Sequence, residues 1–81
     1  MTQPHAVAVY TQPNCQQCIA TKRRLDKNGT AYTLVDITED PGAYDYVIGL
    51  GHKQAPIVVT DAGVHWSGYR MDLIDALKET A

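Results

Sequence analysis

Cysteine is scarce in this chain: 81 residues carry two. Two thiols cannot fill a four-ligand structural zinc site unless histidines help. His5, His52 and His65 are scattered along the sequence and read as surface or otherwise satisfied residues, so no metal site is expected. Excess positive charge is missing as well. Seven Lys and Arg stand against nine Asp and Glu, for a formal net charge of −2, which argues against a basic nucleic-acid surface. No apolar run is long enough to cross a bilayer. Met1-Thr2-Gln3-Pro4-His5 is polar and brief and lacks the basic-then-apolar pattern of a secretory signal, so a cytoplasmic chain with no membrane partner is expected. In that compartment thiols are kept reduced, and a cysteine pair reads better as catalytic than as a structural bridge. No linker, repeat or low-complexity segment divides the chain. Residues 1–81 are expected to form one domain with a small core.

What is present is a pattern at those two cysteines, Cys15-Gln16-Gln17-Cys18. It follows an apolar alternating run and opens a helix-like one. A Cys-x-x-Cys between strand and helix is the sequence sign of a dithiol that cycles between thiol and disulfide. The spacing lets both sulfurs meet in a small ring. With Cys15 at the helix start, unpaired backbone N–H groups and the positive end of the helix dipole favour a thiolate there. The thiolate is the species that attacks a disulfide. Cys15 is therefore expected to be the exposed nucleophile. Cys18, one turn on and more buried, is expected to resolve the mixed disulfide.

The rest of the chain alternates between strand and helix patterns. Residues 5–10 read as a buried strand, and Thr11-Gln12-Pro13-Asn14 as a turn broken by Pro13. A helix is predicted over 15–28, with Cys18, Ile19, Lys22 and Leu25 on one stripe, and Gly29 suits a left-handed stop. Residues 31–37 return as a strand. Asp40-Pro41 supplies an N-cap and a first-turn proline for a helix over 41–50, with Tyr44, Val47 and Ile48 inward. Residues 55–60 form a strand opened by Pro56. Asp61-Ala62-Gly63 is a hairpin turn, and 64–66 is the partner strand. A last helix over 71–79 presents Leu73, Ile74 and Leu77. The order βαβαββα predicts an α/β architecture: a four-stranded mixed sheet with three helices on its two faces.

This order resembles the thioredoxin fold and, more narrowly, its glutaredoxin-like branch. Three segments carry the resemblance: the dithiol after a strand and a Pro-containing turn, Ala55-Pro56 at the start of the third strand, and Trp66-Ser67-Gly68-Tyr69-Arg70 before the last helix. The last is similar to the Trp-Ser-Gly-Phe-Arg-Pro signature of NrdH-redoxins. Ala20-Thr21-Lys22 and Gln54-Ala55-Pro56 match that family too. Tyr69 replaces its phenylalanine, Met71 its usual proline, and Gln12 stands where many members carry a cation.

The resemblance implies a thiol-disulfide oxidoreductase with no cofactor beyond the Cys15–Cys18 disulfide. It would work as a monomer, taking electrons from thioredoxin reductase and passing them to class Ib ribonucleotide reductase. It implies a cis Pro56 facing the dithiol, and a partner-binding strip of Thr11, Gln16, Gln17, Ala55, Pro56, Trp66, Ser67, Gly68 and Tyr69. Arg70 would tie the last helix to the loop before it, or stay a solvated charge.

Other readings stand beside these. Trp66 suits a hairpin core as well as a docking face. Lys22-Arg23-Arg24 reads as a solvated helix face. The rival function is a glutaredoxin using glutathione or another small thiol. Against it, the region before the last helix lacks the Gly-Gly-Asp pattern of glutathione-binding relatives. A metal carrier with a Cys-x-x-Cys, or an iron–sulfur scaffold completed by external thiols, is the non-enzymatic alternative.

Overall fold

The computed structural model describes residues 7–61 and 63–78. In chain order the elements are β1 (Val7–Thr11), α1 (Gln16–Asn28), β2 (Thr33–Asp36), α2 (Pro41–Gly49), β3 (Ile57–Thr60), β4 (His65–Ser67) and α3 (Met71–Lys78). Residues 5 and 6 of the expected first strand, Ala62 of the turn and Glu79 of the last helix lie outside the described residues.

The four strands form one sheet in the order β2-β1-β3-β4. β1 and β2 are parallel, with Val9 opposite Leu34, as a strand–helix–strand crossover requires. β3 runs antiparallel to β1, with Val9 opposite Val58, and β4 antiparallel to β3, with Val58 opposite Trp66. The mixed sheet expected from the sequence is present. Strand limits are tighter than expected. β3 starts at Ile57 because Pro56 has no N–H to give to a ladder.

Alternation along the strands sorts the core into two halves. On one face Val7, Val9, Val58 and Trp66 pack with Leu25 of α1 and Ile74 of α3, and Tyr32, Leu73 and Leu77 close the edges. On the other face Ile37 and Ile57 pack with Val47 of α2, flanked by Tyr10, Ala43, Ala55 and Val59. Arg24 grips both carboxylate oxygens of Asp75, with Nε–Oδ1 at 2.8 Å, and the Asn28 amide donates to the same carboxylate at 2.8 Å. These bonds join α1 to α3 along their length.

Local signals set the helix ends. Gly29 adopts φ 73°, and its N–H and that of Thr30 turn back onto the carbonyls of Asp26 and Leu25. Asp40 caps α2 by accepting the Ala43 N–H at 3.1 Å, and Pro41 fills the first turn.

Helix faces differ from expectation in two places. The buried stripe of α1 is Cys18, Thr21 and Leu25, while Ile19 is 40% exposed and Lys22 half-buried. Positions 18, 21 and 25 follow i, i+3, i+7, and residue 19 sits a hundred degrees further round. On α2 only Val47 is buried, with Ala43 half-buried one turn earlier. Tyr44 and Ile48, each one step round the helix from those two, face outward.

Candidate active site

β1 delivers the chain to the site. After Thr11 the backbone turns through Gln12, Pro13 and Asn14. Asn14 takes φ 58°, a left-handed conformation that asparagine tolerates better than most residues. Cys15 follows as the N-cap of α1, with extended φ and ψ. A cap side chain normally supplies an oxygen to the first free amides. Here the Cys15 sulfur takes that place and accepts the Cys18 N–H at 3.1 Å.

Cys15 and Cys18 are joined as a disulfide with Cα atoms 5.2 Å apart. Their surroundings differ. Cys18 is 1% exposed on the inner stripe of α1, whereas Cys15 is half-buried at its tip.

Two further segments close on the disulfide. The Ala55–Pro56 peptide is cis, and the Ala55 carbonyl oxygen lies 3.8 Å from the Cys15 sulfur. Beside it runs the end of β4. The Ser67 hydroxyl donates to the Gln54 carbonyl at 2.7 Å, and the Gly68 N–H to the Pro56 carbonyl at 2.8 Å. Gly68 has φ 89°, where a side chain would be strained. A Cβ placed on it would also stand 3.6 Å from the Gln17 side-chain oxygen. The structure thus brings together Cys15, Gln17, Cys18, Ala55, Pro56, Ser67 and Gly68.

The remaining candidates are placed differently. Thr11 is half-buried at the end of β1, and its carbonyl accepts the Ile37 N–H at 3.0 Å. Trp66, for which a docking face was one of two readings, is 5% exposed and packs in the α1–α3 core. It has no face to offer a partner. Strand alternation turns it to the side of the sheet that α1 and α3 cover, where it packs with Leu25 and Ile74. Arg70 holds Asp72 at the start of α3, with Nη2–Oδ2 at 3.1 Å, and this contact keeps the Asp72 carboxyl below the ordinary carboxylate range. The pair is exposed and lies within the first turn of the helix.

A groove of about 340 Å³ runs from Gln16 along α1, lined by Ile19, Ala20, Arg23, Arg24, Lys27 and Tyr69. From the sequence alone Arg23 and Arg24 read as a plain solvated face and Ile19 as part of the inward stripe, and no groove is expected there. Their spacing carried the signal, because 16, 19, 20, 23 and 27 share one side of a helix. A second convergence had no local signal. His52 and His65, expected to be separate, touch through their ring nitrogens at 2.6 Å. Among the described residues no group of three or more His, Cys, Asp or Glu side chains is disposed to hold a metal ion. No described helix is long and apolar enough to cross a membrane.

Comparison with known proteins agrees with this geometry. The glutaredoxin family model matches residues 7–66. The chain is 36% identical over 75 residues to the glutaredoxin-like protein NrdH of Salmonella typhimurium, covering 93% of this chain and 91% of that one. It is 40% identical over 72 residues to the Gene 56 protein of Mycobacterium phage L5, covering 88% and 70%. Among solved structures, the NrdH-redoxin of Escherichia coli superposes with a TM-score of 0.84 at 32% identity, over 89% of this chain and 93% of that one. That protein is described as glutaredoxin-like with a thioredoxin-like activity profile.

Proposed function

The chain belongs to the glutaredoxin family, on its NrdH-like side, and from that premise we propose that it is a dithiol electron donor served by thioredoxin reductase and serving class Ib ribonucleotide reductase. The observation that carries the reading is the unequal setting of the two sulfurs: Cys15 at the helix tip, accepting an amide hydrogen, and Cys18 beneath it at 1% exposure. The thioredoxin-like profile of the E. coli relative supports thioredoxin reductase as the source of electrons.

In this mechanism the reduced Cys15 thiolate, held by the Cys18 N–H and the helix end, attacks one sulfur of a client disulfide. The client S–S bond breaks, and its departing sulfur leaves as a thiolate and takes up a proton. Cys18 gives its proton to solvent and attacks the Cys15 sulfur. The second client sulfur leaves in turn. Two electrons have then passed to the client, and the Cys15–Cys18 disulfide remains. The reductase returns two electrons, and one proton is taken up to restore the Cys15 thiolate and the Cys18 thiol.

Gln16, Gln17, Ala55, Pro56, Ser67, Gly68 and Tyr69 form the strip on which the client chain lies. Ala55 offers backbone groups to an extended segment. A monomer in the cytoplasm suits such a shuttle.

The test is NADPH consumption by the oxidised protein with thioredoxin reductase, compared with glutathione plus glutathione reductase. Turnover with thioredoxin reductase, followed by support of a class Ib ribonucleotide reductase, is the expected result. Turnover only with glutathione would make it a glutathione-dependent glutaredoxin instead.

A further inference from the structure

The dithiol cycle leaves one contact unused. His52, in the segment between α2 and β3, places its Nε2 2.6 Å from Nδ1 of His65 on β4. The ring centroids are 4.8 Å apart and the planes cross at 79°. His52 is half-buried, its backbone N–H held by the Val47 carbonyl at 3.1 Å. His65 is exposed, opposite Val59. Two imidazoles from separate parts of the chain thus meet nitrogen to nitrogen at the surface.

We propose that His52 Nε2 and His65 Nδ1 together chelate one divalent first-row transition metal ion. Each neutral imidazole has one nitrogen lone pair, and imidazole suits zinc, nickel and copper rather than magnesium or calcium. Metal–nitrogen bonds of about 2.0–2.1 Å put two ligating nitrogens on one ion roughly 3 Å apart, so the rings part by a few tenths of an ångström and turn until both lone pairs meet at the ion instead of facing each other. At present one ring must hold a proton between the two nitrogens. On binding, that ring moves its proton to its other nitrogen, and both rings stay neutral. Since no third His, Cys, Asp or Glu joins the pair among the described residues, water fills the remaining positions. The site is open and its affinity modest.

Its position gives it a consequence. The Ser67–Gln54 and Gly68–Pro56 hydrogen bonds already join the segment before β3 to the end of β4 beside the disulfide. An ion held by His52 and His65 would link the same two stretches a third time.

The experiment uses tag-free full-length protein in the disulfide form, so that no thiolate competes for the ion. Ni(II), Zn(II) and Mg(II) are titrated by calorimetry, and thermal unfolding is followed with and without each. The expected result is saturable 1:1 binding of Ni(II) or Zn(II) with Kd below about 1 mM, a raised Tm, and no effect of Mg(II). His52→Asn and His65→Asn should each weaken binding about tenfold or more, and the double variant little further, because a chelate is lost with either partner. His5→Asn should leave binding unchanged. Pulsed EPR of the wild-type protein with one equivalent of Cu(II) supplies a readout independent of the variants and should show two coupled imidazoles. Absence of binding, binding insensitive to His52 and His65, loss in His5→Asn, or a single coupled imidazole would each overturn the proposal.

Discussion

Cys15 and Cys18 differ in access, and access decides the order in which two chemically identical groups act. A client disulfide can reach the half-buried sulfur at the helix tip but not the one at 1% exposure beneath it. Replacing the buried partner removes resolution without removing attack. Cys18→Ser is expected to accumulate a mixed disulfide between Cys15 and the client, and Cys15→Ser to form none. Intact-mass analysis of the trapped species checks this, and a client adduct through Cys18 in the Cys15→Ser protein would reverse the assigned order. Gly68 matters at the same scale for the opposite reason. At φ 89° it holds a backbone conformation that strains any residue with a side chain, and in that conformation its N–H reaches the Pro56 carbonyl.

The element on which the site depends is α1, because both sulfurs ride on its first turn. Its seat in the sheet is Leu25, fully buried among Val7, Val9, Val58, Trp66 and Ile74. Leu25→Ala leaves a cavity that such a small core cannot close, and a loss of about 2–5 kcal/mol is expected, measurable by urea unfolding of the disulfide form. The element pattern was legible in the sequence where one residue type dictates local geometry. Gly29 stopped α1, Asp40-Pro41 started α2, and the dithiol fell at a helix N-terminus as its spacing required. Legibility failed where a choice depends on the opposing surface. An apolar Tyr44, Val47 and Ile48 on α2 suit several orientations, and the narrow patch of Ile37 and Ile57 accepts only Val47. Trp66 was undecided for the same reason, since strand alternation fixes its side of the sheet only once the register with Val58 is known. The meeting of His52 and His65 joins a loop to a strand across a hairpin, and no periodicity records such a contact.

Across the whole molecule, the sheet order gathers chemistry at one end. β1 runs toward Cys15, and the antiparallel β3 begins, and β4 ends, at that same level. Tyr69 closes this end and lines the groove along α1, the residue being 37% exposed. A residue that holds a client's chain, without touching the reacting sulfurs, affects large substrates more than small ones. Tyr69→Ala is therefore expected to slow reduction of a protein disulfide roughly fivefold, equivalent to about 1 kcal/mol of docking, and to leave reduction of a small aromatic disulfide nearly unchanged. Stopped-flow rates on both substrates separate the two, and an equal loss on each would place Tyr69 in the chemistry instead of the docking.

The path of α3 has one more consequence. Tyr69 sits beside Gln16 in the groove, while Asp75, further along the chain, is held by Arg24 and Asn28 toward the far end of α1. α3 therefore travels away from the disulfide, and β1 starts at the distant pole and travels toward it. Val7 and Lys78 flank the described fold at the pole opposite the sulfurs. Both described ends therefore leave the face that exchanges electrons clear, with the whole depth of the sheet between them and the sulfurs.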